Sequence, residues 1–305
     1  MLGFLMLVGP READMAIDSL SHALRLYPGS YACVRDDATS DGTYDALQDF
    51  ARANAPRVCL SRNETAQGYF GLSNSMFSLY QHLWQAHPNL EIVIKLDTDA
   101  CILRPGLDTF ARDKFAAFGP GMLGSYRISP AGAIRGHFVH TKTILKDLLL
   151  VGRDFQTGRV RFDVPFYLPF LFRALLHGYI PGHAVLGGMY ILHADTIAAA
   201  GRIGFWSSIP NKGSCHVKSE DALVSMGTKA VGHALIDIND PASGDVRTWL
   251  QYAPPIPWSA QEIVEKNYLA IHPVKNSPEG RKLRTELRGL LANELPSHPP
   301  ALIDS

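Results

Sequence analysis

The sequence predicts an α/β fold in which a mostly parallel central sheet is flanked by helices. Short apolar runs rich in Val, Ile and Leu alternate with amphipathic helical segments through the first hundred residues. Turn signals such as Pro28-Gly29 and Pro88-Asn89 separate these segments. The chain of 305 residues is long enough for one large domain with a sizeable core.

The elements of the first hundred residues follow one another regularly. Apolar residues at helical spacing, such as Met15, Leu20 and Leu24, indicate a first helix that ends before Pro28. Strands joined by helices predict parallel crossovers. The predicted order is strand Gly3–Val8, helix Glu12–Leu26, strand Ser30–Arg35, helix Tyr44–Ala53, strand Arg57–Leu60, helix Leu72–His87 and strand Glu91–Leu96.

The pattern is less regular after Leu103, where Gly, Pro and single charges interrupt the apolar runs. We expect a strand at Met189–His193 and a helix that begins near Ser219. The later predictions are a Pro- and Gly-rich connection at Pro241–Pro257, an amphipathic helix at Ser277–Asn293 and a loose tail at Pro296–Ser305.

Composition excludes several classes of protein. The formal net charge is zero, so no basic field indicates a nucleic-acid partner. The four cysteines are far apart and form no CxxC, which favours reduced core thiols and a cytoplasmic location. Met1 to Val8 is too short to span a bilayer, and charges and prolines interrupt the longest apolar candidate, Phe162 to Ile180. We therefore expect no transmembrane segment, and peripheral membrane contact at most.

Two carboxylates, Asp97 and Asp99, directly follow the strand that ends at Leu96. Ligands of α/β proteins bind at the carboxyl ends of the parallel strands. Two hard oxygen donors at that edge suit a divalent cation that bridges a diphosphate. The pair therefore indicates an enzyme that handles a nucleotide-activated group.

The segment Asp36 to Thr43 follows the second predicted strand and carries three acids and three hydroxyls. A carboxylate there can accept a hydrogen bond from the imide N–H of uracil or from a ribose hydroxyl. A polar turn that caps the next helix is the alternative interpretation.

These motifs resemble the GT-A glycosyltransferases. Asp36 to Thr43 resembles the Asp-Asp-Gly-Ser-Thr-Asp-Gly-Thr element of the large inverting family that includes the cellulose and chitin synthases and bacterial polysaccharide enzymes. Gly68 through Asn74 is similar to the Gly-x-x-x-Ala-x-Asn stretch of that family, and Asp97-Thr98-Asp99 to its Asp-x-Asp signature. Ala38 departs from the pattern, where the family usually has Gly.

Three short motifs of the second half extend the resemblance. Gly187-Gly188 resembles the Gly-Gly segment of Fringe-like β-1,3-glycosyltransferases, which borders donor sugar and acceptor. Glu220-Asp221 resembles a Glu-Asp pair whose Asp is the catalytic base, although a simple helix cap is the alternative. His272 resembles the C-terminal histidine that completes metal coordination in many GT-A enzymes.

The resemblance implies a metal-dependent, inverting transfer of a sugar from a nucleoside diphosphate donor, expected to be a UDP-sugar, to a hydroxyl acceptor. A carbohydrate or glycolipid would be the acceptor, and Mn²⁺ or Mg²⁺ the cofactor. The implied metal ligands are Asp97, Asp99 and His272. The implied nucleotide-sugar contacts are Asp36, Asp37, Arg62, Lys95, Asp97, Gly187, Gly188 and Lys275. Asp221 would be the base, with Glu220 beside it to raise its pKa or orient it.

The acceptor is expected to lie against the second half of the chain. Tyr190 and Trp206 can stack on a sugar ring, and core burial is the alternative for each. Arg153–Arg161 is either a solvated basic face or a contact for an anionic acceptor or lipid headgroups. We expect one GT-A domain over residues 1–295, divided into a nucleotide-sugar half (1–105), an acceptor half (106–276) and a C-terminal helix (277–295), with a flexible tail at 296–305.

Three other functions remain open from the sequence. His272-Pro-Val-Lys275 also resembles an element of glycogenin-like retaining enzymes, but without its glycine. A sugar-1-phosphate nucleotidyltransferase would usually have a Gly-rich basic loop after the first strand, whereas Gly9-Pro10-Arg11-Glu12 offers one Gly and one Arg. A catalytically silent sugar-nucleotide-binding protein is the third alternative.

Overall fold

The computed structural model describes residues 1–136, 141–142, 144, 164–208, 220–240, 247–251 and 256–292. It confirms the predicted α/β class, with a seven-stranded central sheet flanked by helices. The strands are β1 (Leu2–Val8), β2 (Tyr31–Asp36), β3 (Val58–Arg62), β4 (Ile92–Leu96), β5 (Cys101–Ile102), β6 (Gly121–Gly124), β7 (Met189–His193), β8 (Ala234–Asp237), β9 (Thr248–Leu250) and β10 (Ala270–His272). The helices are α1 (Ala13–Leu26), α2 (Thr43–Ala53), α3 (Gly68–Ala86), α4 (Leu107–Phe118), α5 (Val164–Leu176), α6 (Ala194–Arg202), α7 (Glu220–Ala230), α8 (Ala260–Glu265) and α9 (Pro278–Leu290).

The central sheet has the strand order β3-β2-β1-β4-β7-β6-β8. The four strands predicted in the first hundred residues pair in parallel, as expected. Strand β7 differs, because it runs antiparallel to both β4 and β6. This direction has a consequence for the site, since the start of β7 then lies beside the carboxyl end of β4.

Strand β4 lies at the centre of the sheet because its side chains suit burial on both faces. Ile92, Ile94 and Leu96 pack into one apolar cluster with α1 and α4, and Val93 packs into the opposite cluster with α3. Each of these four side chains is no more than 1% exposed. The core therefore fixes β4, and with it the position of the two carboxylates that follow.

A second, three-stranded sheet has the order β5-β10-β9. Strand β10 runs antiparallel to β5, with Ile271 opposite Cys101. Because β5 begins two residues after Asp99, this pairing brings the end of β10, His272, back to Asp99. The ends of β4 and β10 and the start of β7 therefore meet at one place.

Some predicted elements differ from the structure, and others lie outside the described residues. Helix α3 begins at Gly68 rather than at Leu72. The elements that were not predicted are α4, α5, α6, α8, β5, β6, β8, β9 and β10. Helix α7 begins at Glu220 among the described residues. Ser219, Arg153–Arg161, the tail from Pro296 and most of Pro241–Pro257 lie outside the described residues. Within the described ranges, none of the helices has the length and apolarity that crossing a bilayer requires.

Candidate active site

A cavity of about 530 Å³ opens at the carboxyl ends of β1, β2 and β4. Its volume lies within the range of about 300–1,000 Å³ that is typical of small-molecule sites. Its wall contains apolar side chains together with acidic, amide and lysine groups. The lining residues are Leu7, Val8, Gly9, Pro10, Glu12, Met15, Asp37, Asn63, Gly68, Leu72, Ser75, Lys95, Asp97, Thr98, Asp99, Lys275 and Asn276.

The three predicted metal ligands come together at the end of β4. One ligand atom each from Asp97, Asp99 and His272 lies within 4.8 Å of the other two. The Asp99 Oδ1 and His272 Nε2 atoms are 3.1 Å apart. The side chain of Asp97 is 44% exposed, whereas those of Asp99 and His272 are 14% and 5% exposed. The cluster is thus anchored in the protein and open on the side of Asp97.

The backbone carbonyl of Gln251, at the end of β9, orients His272. It lies 2.7 Å from His272 Nδ1, so the ring donates its Nδ1–H there. The other ring nitrogen, Nε2, then faces Asp99 Oδ1. A hydrogen bond of this kind typically fixes the tautomer of a metal-binding histidine. The sequence gives no sign of this role of Gln251, because the contact uses its backbone carbonyl.

Lys275 completes the surroundings of Asp99. Its Nζ donates to Asp99 Oδ2 at 2.6 Å, and its side chain is 63% exposed. Burial would raise the pKa of Asp99, but the hydrogen bonds and charges of His272 and Lys275 outweigh it and hold that pKa well below its usual range. Asp99 is therefore an anion, as a metal ligand must be.

The backbone of the turn Asp97-Thr98-Asp99 is hydrogen-bonded on several sides. The Asp97 N–H donates to the Gly188 carbonyl at 2.9 Å, and the Val274 N–H donates to the Asp99 carbonyl at 2.8 Å. Ser19 Oγ donates to the carbonyls of Thr98 and Ala100, at 3.2 and 2.8 Å. These bonds fix the direction of both carboxylates before any ligand binds.

Arg284 from α9 supports the same turn. It donates to the Thr98 carbonyl at 2.7 Å and pairs with Asp18 at 2.8 Å. Its side chain is only 5% exposed. The sequence predicts an amphipathic helix at Ser277–Asn293, but spacing alone does not show which of its arginines faces inward.

Gly187 and Gly188 lie between the metal ligands and the acids of α7. A Cβ on Gly188 would overlap with the imidazole of His272, and one on Gly187 would lie 3.2 Å from Asp221 Oδ2. The expectation was that these glycines let the backbone approach the sugar. The structure adds a steric reason for glycine at Gly188, where a side chain would overlap with His272, whereas a side chain at Gly187 would fit tightly against Asp221.

Lys95 is a buried cation beneath the site, with a side chain that is 2% exposed. It donates to Asp97 Oδ1 and to the Gly187 carbonyl, and its Nζ lies 3.9 Å from Glu220 Oε2. Burial opposes the charge, but the negative charges of Asp97, Glu220 and Asp221 outweigh it and raise the pKa of Lys95. Lys95 thus neutralises the local acids as well as lining the cavity.

Glu220 and Asp221 differ in environment although they are adjacent. Glu220 is 2% exposed, and it accepts a hydrogen bond from the hydroxyl of Tyr190, which in turn accepts one from Tyr80 at 2.7 Å. Burial raises the pKa of Glu220 to about 7. Asp221 is 9% exposed and lies against Gly187. Neither acid lines the cavity of 530 Å³.

The turn after β2 uses its acids for structure. Asp36 is fully buried, accepts from Thr39 N–H at 3.0 Å and pairs with Arg62 Nε at 3.1 Å. The guanidinium of Arg62 also lies 4.5 Å from the centre of the Tyr44 ring. Asp36 therefore cannot reach a nucleotide in this conformation, which corrects the sequence-based expectation, and Arg62 does not line the cavity.

Asp37 is placed differently, because it does line the cavity. Its carboxylate accepts the N–H groups of Gln67 and Gly68 and the amide of Asn63, each at 2.8 Å. These bonds stabilise the start of α3, whereas the capping alternative concerned the next helix, α2. A carboxylate has about four acceptor positions, so one remains for a ligand hydroxyl.

Tyr190 and Trp206 do not form an acceptor platform. Tyr190 is fully buried, and Trp206 is 4% exposed. The Trp206 ring stacks on Tyr80 at 4.8 Å and packs against Phe77 and Phe205. Rings enclosed in this way present no open face to a sugar, so the core alternative holds for both residues.

The comparisons with known proteins identify no family. No family model matches the chain, and no curated protein sequence matches it. Among solved structures, the chain is similar to a mannosyltransferase from Pyrobaculum calidifontis in complex with GDP-Man and Mn²⁺, at 14% identity and a TM-score of 0.45, over 98% of this chain and 66% of that one. It is also similar to the galactosyltransferase LgtC in complex with donor and acceptor sugar analogues, at 10% identity and a TM-score of 0.45, over 98% of both chains.

Arg284→Met tests the support of the turn. We expect a loss of about 1–3 kcal/mol in the free energy of unfolding, because charged hydrogen bonds to Asp18 and Thr98 disappear. Mn²⁺ affinity, measured by calorimetry, should fall about 10- to 100-fold. Lys282→Met on the same helix is the control, since Lys282 is 77% exposed. Equal Mn²⁺ affinities of the two variants would contradict the role of Arg284.

Gly188→Ala tests the packing of His272. The added methyl group must displace the imidazole, so we expect Mn²⁺ affinity to fall at least about tenfold by calorimetry. Gly29→Ala is the matched control, because a Cβ at Gly29 meets nothing within 4 Å. Wild-type affinity in Gly188→Ala would show that His272 is not held where the structure places it.

Proposed function

We propose that the protein is a metal-dependent GT-A-type glycosyltransferase, which moves a sugar from a nucleoside diphosphate donor to a hydroxyl acceptor. One observation carries this proposal. Asp97, Asp99 and His272 converge at the edge of a cavity of about 530 Å³ where the parallel strands end. Ligands of α/β sheets bind at such an edge.

The residues present fit a divalent cation. Asp99 Oδ1 and His272 Nε2 are 3.1 Å apart. Two adjacent ligand atoms of an octahedral ion with bonds of about 2.1 Å are also about 3 Å apart. One imidazole beside carboxylate oxygens suits Mn²⁺ at least as well as Mg²⁺. When bound, such an ion stabilises the negative charge that develops on the diphosphate leaving group.

The nucleotide would occupy the cavity between β1 and α3. Asp37 has one acceptor position for a ribose hydroxyl, and Asp36 and Arg62 hold the turn that presents it. Lys275 lies on Asp99 at the cavity wall, within reach of a phosphate that binds there. We propose a UDP-sugar as donor, on the resemblance of the β2 turn rather than on a contact to uracil.

Asp221 is the candidate for the base that takes the proton of the acceptor hydroxyl. It lies against Gly187 and is more exposed than Glu220. Glu220 accepts a hydrogen bond from Tyr190 and lies close to Lys95, so its role would be to position these two residues. A base placed for direct in-line attack implies inversion at the anomeric carbon, and the acceptor would be a carbohydrate or a glycolipid.

A retaining transfer is the second candidate, favoured by one contact. His272 and Lys275 both bind Asp99, so the His-x-x-Lys element acts as one unit around the candidate metal ligand. NMR of the first-formed anomer separates the two stereochemical courses. Tight donor binding without turnover of any donor would indicate a catalytically silent binding protein.

Asp99→Ala tests the metal and donor site. A UDP-sugar with Mn²⁺ at a hundredfold excess over Kd should stabilise the wild type by about 2.7 kcal/mol in a thermal-shift assay. The variant should lose this stabilisation, because the anion that holds the metal is gone.

Asp49→Ala is the control for that assay, since Asp49 is 76% exposed on α2. Equal stabilisation of both variants would contradict the proposed site. A larger shift with a guanosine or cytidine donor would overturn the choice of uracil and leave the enzyme class intact.

Asp221→Asn tests the base. We expect kcat to fall about 100- to 10,000-fold, because the amide cannot accept the hydroxyl proton, with donor Kd unchanged. Asp195→Asn is the matched control, since Asp195 also lies in the first turn of a helix and is 74% exposed. A kcat within a few-fold of wild type would exclude Asp221 as the base.

A further inference from the structure

Two thiols and an imidazole meet on the face of the sheet that α3 covers. Cys33 on β2 and Cys59 on β3 are directly paired in the parallel register. His82 projects from α3 toward them, with its Nε2 at 3.9 Å from Cys59 Sγ. One ligand atom from each of the three lies within 4.8 Å of the other two. None of them lines the cavity of the candidate active site.

The cluster is closed on one side and open on the other. Cys33 is 1% exposed and belongs to the apolar core, whereas Cys59 is half-buried and His82 is exposed. A small ion can therefore reach the sulfur atoms from solvent past His82. The core behind Cys33 holds the two sulfur atoms in place.

We propose that Cys33, Cys59 and His82 form a second metal site, which takes a borderline-soft divalent cation such as Zn²⁺. Adjacent sulfur and nitrogen ligands of tetrahedral Zn²⁺ lie about 3.5 Å apart, close to the distance from Cys59 Sγ to His82 Nε2. Two sulfur ligands and one nitrogen, without a carboxylate, favour Zn²⁺ over the Mn²⁺ or Mg²⁺ of the first site. Each cysteine would bind the ion as a thiolate and release its thiol proton to solvent, His82 would bind through Nε2, and water would fill the fourth position.

The site has a structural consequence. It ties the C-terminal part of α3 to β2 and β3, and the first turns of α3 supply Gly68, Leu72 and Ser75 to the wall of the cavity. Metal at this second site should therefore stabilise the folded protein even when no nucleotide is present.

Co²⁺ titration of the reduced full-length protein tests this proposal, since a Co²⁺–thiolate bond gives a near-ultraviolet charge-transfer band that oxygen and nitrogen ligands do not give. We expect one equivalent of Co²⁺ to produce the band and Zn²⁺ to abolish it by displacement. Co²⁺ affinity from the band should fall at least about 100-fold in Cys59→Ser and about tenfold in His82→Ala, because each loses a direct ligand.

The control variant, Cys101→Ala with Cys215→Ala, leaves only Cys33 and Cys59 of the four cysteines. It should keep the full band. No band in the reduced wild type, a band that survives Cys59→Ser, or a Cys33–Cys59 disulfide that persists under reductant would each overturn the metal site. His82→Ala alters an exposed side chain, so the test does not depend on a variant that disturbs the core.

Discussion

The candidate site depends on one backbone turn, Asp97-Thr98-Asp99, being held rigid at the end of a buried strand. Its carbonyls accept hydrogen bonds from Ser19, Arg284 and Val274, and its first N–H donates to Gly188. Donors from α1, from α9 and from the segment after β10 thus meet at a turn of three residues. Because the turn needs no ligand to set its shape, both carboxylates are preorganised for a cation.

Two residues near this turn, Lys95 and Gly188, are explained by the charge of the acids and by the space that His272 needs. The acids of the site concentrate negative charge, and the buried Lys95 offsets it from below by binding Asp97 and lying close to Glu220. His272 reaches Asp99 only because Gly188 has no side chain. The antiparallel direction of β7 places that glycine beside Asp97.

The sequence predicted the elements whose pattern is local. The apolar run of β4 and the position of Asp97 and Asp99 after it are visible in consecutive residues. Contacts between distant segments were not visible. Arg284 and Gln251 act on residues far away in the chain, and helical spacing does not tell a buried arginine from an exposed one. Tyr190 was expected at a sugar for its chemistry, and the pairing of β7 with β4 instead buries it.

Anomalous diffraction from a crystal soaked with Mn²⁺ and a UDP-sugar tests the central claim most directly. The account predicts a manganese peak between Asp99 and His272, with the diphosphate as its other ligand and the nucleotide in the cavity beside Asp37. A peak elsewhere, or a bound nucleotide with no manganese at these residues, would contradict it.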